Sequence, residues 1–117
     1  ADIYQLIAGL AVACRHGFEM ENALEMADAT YVNVNIHKKE NEDKLNSLKQ
    51  LPDNCEASAA CLESQREIFQ QYNVFSAAMI DGIIKRLRSY ADSGLRAQIE
   101  GDQAAMLELV KRYFHCG

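Results

Sequence analysis

Between Leu51 and Tyr90 two helix-period patterns are separated by only Asn73, Val74, Phe75 and Ser76, and that spacing constrains the fold more than any other feature of the chain. Pro52 stops the preceding segment, Asp53 or Asn54 is placed to cap a long helix, and Glu56 is placed to complete a capping box on Asp53. The inner stripe of that helix reads Cys55, Ser58, Cys61, Leu62, Ile68, Phe69 and Tyr72, with Glu56, Glu63, Glu67 and Gln70 outside. Asn73 suits a left-handed terminator, Val74 and Phe75 form an apolar plug, and Ser76 caps the next helix. There Ile80, Ile83, Ile84 and Leu87 recur at i, i+3, i+4 and i+7, while Asp81 and Lys85 make an exposed i, i+4 pair. Two amphipathic helices joined by so short an elbow form an αα-hairpin.

The rest of the chain packs around that hairpin. From Asp2 to Phe18 the pattern is apolar nearly all the way round a helix, so it must be covered on more than one side. Gly17, after Arg15 and His16, sits where a left-handed C-cap belongs. The chain begins inside this helix, which points to an amino-terminal part outside the sequence. Asn22 and Glu25 have capping-box spacing ahead of a short helix, and Tyr31 to Ile36 reads as an extended connector or a continuation of that helix. His37 to Gln50 is a surface loop holding at most a short helix. Asp92, Ser93 and Gly94 break the chain, Leu95 to Ile99 forms a turn or two, and Gly101 with Asp102 starts a last helix. Its stripe is Met106, Leu109, Val110, Tyr113 and Phe114, with Glu108 pairing Arg112 outside. With 117 residues, one proline and no tryptophan, the expectation is a single all-α domain over residues 1–117: four to five helices in an irregular bundle around the central αα-hairpin.

A net charge of -5 offers no general footprint for phosphate backbones, and Lys85, Arg86 and Arg88 spread over a helix surface near Asp81 and Asp92 as a solvated face. No nucleic-acid role is expected. No apolar run is long enough for a bilayer and no signal-peptide order is present, so the expected location is the cytoplasm, without membrane partners. Cys14, Cys55, Cys61 and Cys116 are irregularly spaced, and the apolar company of Cys14 and Cys61 fits reduced, buried thiols.

No residue set reads as catalytic, cofactor-binding or metal-ligating. Cys14 with His16 and His115 with Cys116 place thiol and imidazole close together, but a zinc site needs four ligands in paired short spacings, and Cys55 to Cys61 is too wide for a knuckle. A cysteine nucleophile needs a neighbouring cation and exposure to lower its pKa, and neither is read from sequence. Glu56, Glu63 and Glu67 lack matching histidines on a second helix and read as a solvated face. Tyr4, Tyr72, Tyr90 and Tyr113 read as residues at the rim of the core.

One resemblance changes the functional expectation. Leu51-Pro52, Cys61-Leu62-Glu63, Arg66-Glu67, Val74-Phe75 and Ile80-Asp81, taken in order, resemble the carboxy-terminal end of glutamine synthetases, and Ile3 to Ala11 resembles the family's tyrosine-led helix that follows its catalytic signatures. The match covers roughly Asp2 to Arg88. It implies a parent enzyme that uses ATP and magnesium or manganese to activate glutamate as an acyl phosphate attacked by ammonia, within a ring-shaped homo-oligomer. The residues binding metal, glutamate and nucleotide lie upstream in that family, so none carries over to a position here. The resemblance therefore implies a carboxy-terminal helical portion that supports the upstream catalytic part of the same polypeptide, holds no cofactor, and is inactive alone. The rival expectation is an independent helical protein–protein interaction domain using the same apolar surface.

Overall fold

The computed structural model describes Asp2 to His115, and every regular element among those residues is helical. Eight α-helices follow one another: α1 (Ile3–Glu19), α2 (Ala23–Thr30), α3 (Glu42–Ser47), α4 (Cys55–Ser64), α5 (Arg66–Gln70), α6 (Ala77–Arg88), α7 (Leu95–Ile99) and α8 (Gln103–Tyr113), with 3-10 turns at Lys39–Asn41 and Gln71–Asn73. The count exceeds the expected four to five. One reason is local: the long helix expected from Cys55 to Tyr72 is divided. The Ser64 hydroxyl donates back to the Cys61 carbonyl at 2.9 Å, and Gln65 leaves helical geometry at φ -107, ψ 13. A serine hydroxyl bonded to its own helix in this way competes with the main-chain ladder and bends it.

Packing centres on α4 against α6, which meet more extensively than any other pair of helices. The core is Val12, Ala59, Phe75, Ile80 and Ile84, flanked by Ala8, Leu62, Ile68, Phe69 and Leu87. Ala59, fully covered, lets α4 approach α6 closely. It replaces Cys61, which is exposed, as the centre of the expected stripe; Tyr72 at the stripe's end is exposed as well. Of the expected plug at the elbow, Phe75 is buried and Val74 exposed, because only the Phe75 ring turns in against Phe69. Tyr72 and Asn73 both take left-handed geometry (φ 59 and 56), the Phe75 N–H donates to the Phe69 carbonyl at 3.3 Å, and the two phenylalanine rings meet edge to face at 5.9 Å. Ser76 then caps α6, its hydroxyl accepting from the Met79 N–H.

Several local expectations are corrected. Helix α1 runs through Gly17 to Glu19 and stops at an extended Met20, because the Met20 N–H can close on the His16 carbonyl without a left-handed residue. Asn22 precedes α2 but its side chain makes no capping bond, so no capping box forms with Glu25. Asp81 pairs with Arg66 of α5 rather than with Lys85, and Glu108 pairs with Lys111 rather than with Arg112, whose guanidinium lies over the Tyr113 ring at 5.4 Å. The connector after Thr30 is extended, and the loop from residue 37 to 50 carries α3 alone beyond one 3-10 turn. Of the last helix's stripe, Leu109 and Tyr113 are half-buried while Met106, Val110 and Phe114 stay exposed.

The molecule is flat and open, with extents of 50 × 46 × 22 Å and a radius of gyration of 17.7 Å. A compact domain of this length has a radius near about 13 Å. Its accessible surface is 9782 Å², where a globular chain of this mass exposes about 6,400 Å². The difference is of the order that tightly associated proteins bury between them.

Candidate functional site

Helix α1 displays the largest feature not accounted for by the fold. Asp2 starts it, its carboxylate accepting from the Tyr4 and Gln5 N–H groups at 3.0 and 3.2 Å. At about 100° per residue, Ala8, Val12 and Arg15 share one side, and that side faces the molecule: Val12 is buried and Ala8 packs on the core. The opposite side carries Ile3, Leu6, Ile7, Leu10, Cys14 and Phe18, with Ala11 and Tyr4 on the flank towards Arg15, all exposed and none charged. Ile3, Leu6, Ile7 and Leu10 are 57 to 61% exposed and Phe18 92%. The uncharged arc spans about 160° of the helix circumference, wider than the single seam between two coiled helices.

Arg15 fixes how α1 is held. Its guanidinium donates to the Ile68 carbonyl at 3.1 Å and to the Gln71 side chain at 3.2 Å, and lies over the Tyr72 ring at 4.6 Å. These contacts satisfy the unpaired carbonyl end of α5 and put a cation at the negative end of its dipole. The Glu19 carboxylate stands 3.6 Å from Arg15 Nε, close enough for an ion pair and too far for a hydrogen bond, so Nε itself makes none. With its inner side tied down, α1 turns its outer side away from the molecule. A groove lined by Gln5, Met79, Gly82, Ile83 and Tyr90 continues from the amino-terminal end of α1 onto α6.

A second polar anchor joins distant parts of the chain. The Asp92 carboxylate accepts from the Cys55 and Glu56 N–H groups at 2.7 and 3.2 Å, capping α4 from 37 residues away alongside Asn54, whose side chain accepts from Ala57 N–H. Hydrogen bonding to the Cys55 N–H holds the Asp92 carboxyl below its ordinary range. Burial, with the Asp92 hydrogen bond and charge beside it, pushes the Cys55 thiol up. Asp53 does not cap, and Glu56 turns to Arg88, which bridges Glu56 at 3.4 Å and Glu63 at 2.7 Å. Arg88 thus belongs to an ion-pair cluster rather than a freely solvated basic face.

The weighed residues do not converge. Cys14 is exposed on the outer side of α1 and His16 is half-buried on the inner side; Cys55 is half-buried and Cys61 exposed, so the expectation of buried thiols fails for Cys14 and Cys61. Cys14 is exposed because none of the described residues covers the side of α1 it occupies. His115 is exposed beside the Phe114 ring, and Cys116 lies outside the described residues. Glu67 lines a shallow groove with His16 and Glu19, apart from the Glu56 and Glu63 pair on Arg88. Tyr4 and Tyr72 are largely exposed, while Tyr90 and Tyr113 meet edge to face at 6.1 Å. Among the described residues no three His, Cys, Asp or Glu side chains come together as a donor set for a metal ion.

No helix among the described residues is long and apolar enough to cross a membrane. No family model, curated protein or solved structure matches the chain at a significant level.

Proposed function

We propose that this chain is the carboxy-terminal helical portion of a glutamine synthetase-like ligase, a support that lies against the catalytic part and carries none of its active site. The observation that carries this reading is the uncharged outer side of α1, with Leu6, Ile7 and Leu10 left uncovered by the described residues. Leaving so wide an apolar arc in water is unfavourable by about 25 cal/mol for each Å² that a partner would cover. The assignment to this ligase family rests on the motifs alone. In the fold, their residues do structural work: Phe75 and Ile80 are core, and Arg66 of α5 pairs with Asp81 of α6. In the parent enzyme, ATP and magnesium or manganese bind upstream residues, the subunits form a homo-oligomer, and the assembly works in the cytoplasm. This portion contributes area and rigidity rather than reacting groups.

Co-expression with a glutamine synthetase catalytic part made without its own carboxy-terminal helices tests the reading. A stable complex with ATP-dependent glutamine formation, absent from either piece alone, is the expected result. No complex and no activity would overturn it and favour an independent interaction domain.

A further inference from the structure

We propose that α7 and α8 form a hinged arm that turns about residues 91–94, and that the Asp92 carboxylate, seated on the first N–H groups of α4, is the latch that holds it. This requires the anchor on α4 and not the glutamine synthetase assignment.

The arm is tied to the rest of the molecule at few points. Helices α7 and α8 pack on each other, and the larger helix contacts, α4 with α6 and α1 with α5, do not include them. Among the described residues, the side-chain hydrogen bonds and ion pairs of residues 95–115 stay inside the arm. Asp102 accepts from the Ala104 and Ala105 N–H groups at 3.0 Å, and Lys111 pairs with Glu108 at 3.0 Å. An open groove of about 480 Å³ runs between the start of α4, at Asp53 and Asn54, and α7, at Leu95, Arg96 and Glu100, so those two helices share no closed face. Across the hinge the Tyr90 and Tyr113 rings meet edge to face at 6.1 Å, a weaker tie than two hydrogen bonds to a carboxylate.

The hinge is strained, and the latch holds the strain. Ala91 at φ 47 and Gly94 at φ 75 stand on either side of Asp92. Left-handed geometry suits glycine but is unfavourable for alanine, whose Cβ comes too close to the following carbonyl oxygen. A residue keeps such geometry only where its surroundings over-determine it. Asp92 supplies that constraint, because its two oxygens accept from the Cys55 and Glu56 N–H groups at 2.7 and 3.2 Å and fix the chain directly beside Ala91. With those bonds gone, Ala91 relaxes to negative φ, and a rotation of that size just ahead of two helices redirects both. Helix α4 retains its second cap, Asn54 accepting from the Ala57 N–H at 2.7 Å, so release of the arm leaves the packing of α4 on α6 in place.

Distance distributions between paired spin labels on the whole chain test the proposal. In a background of Cys14→Ser, Cys55→Ser and Cys116→Ser, one label sits on Cys61 of α4 and the other on Leu107→Cys of α8, both exposed positions. The parent should give one narrow distance, and Asp92→Ala should lose it to a broad, displaced distribution. Asp92→Asn, equal in size and left with one accepting oxygen, is the milder variant and should broaden the distance in part. A control pair, Cys61 with Lys85→Cys on the exposed side of α6, should keep its distance in Asp92→Asn, which separates a released arm from a loosened core. A broad parent distribution, an arm distance unchanged in both variants, or a control distance that moves with the arm in Asp92→Asn would each overturn the proposal. None of those results bears on the complex with the catalytic part, which is read separately.

Discussion

Among the described residues, three that are not glycine hold left-handed backbone geometry, and they differ in what they gain from it. Tyr72 places its ring under Arg15, and Asn73 belongs to a residue type that tolerates the region. Ala91, at φ 47 just beyond α6, has no such compensation. Ala91→Gly should therefore raise stability by about 1 kcal/mol, read as a higher urea midpoint at unchanged slope. Asp92 is the residue whose loss is felt at a distance. Its folded-state pKa is lowered, so its contribution is complete above the unfolded value and disappears as pH falls through the folded one. Stability should decline below about pH 4, and Asp92→Asn should be less stable at neutral pH and show a shallower acid slope by circular dichroism. The Cys55 thiol, half-buried and pushed up beside that carboxylate, should react with a thiol reagent more slowly than the exposed Cys61. Peptide mapping after a short exposure to the reagent checks this.

The α4 and α6 pair is the element on which everything else rests, and Ile80 is its most enclosed large side chain. Ile80→Ala should cost about 2–5 kcal/mol, seen in the denaturation midpoint, whereas Met79→Ala, on the partly exposed side of the same turn, should cost far less. Much of this element was legible in the sequence. The i, i+3, i+4, i+7 spacing of Ile80 to Leu87 and the Ser76 cap are local signals, and local signals survive folding. The break at Ser64 was not legible, because Leu62, Ile68 and Phe69 keep a plausible helical rhythm across it and only the hydroxyl's choice of partner decides. The Asp92 cap was invisible for another reason: Asn54 was already a sufficient cap, and nothing in the spacing links position 92 to position 55. The ion pairs moved in the same way. Asp81 and Glu108 each had a partner at ideal helical spacing and took another one, since exposed pairs separated by only tenths of a kcal/mol are chosen by the packing around them. For α1 the all-round apolar pattern predicts cover on more than one side, whereas the described residues cover one side only.

At the scale of the molecule, the flat outline decides how the chain opens. Thinness has a consequence of its own. At 22 Å in its shortest dimension, the chain is about two helix layers deep at the usual spacing of 8–10 Å between axes. Hardly any peptide group lies more than one layer from water. Slow deuterium uptake should accordingly be confined to the facing turns of α4 and α6, with the outer helices labelling early and in separate steps, as planks would loosen one by one from a raft lashed at its middle.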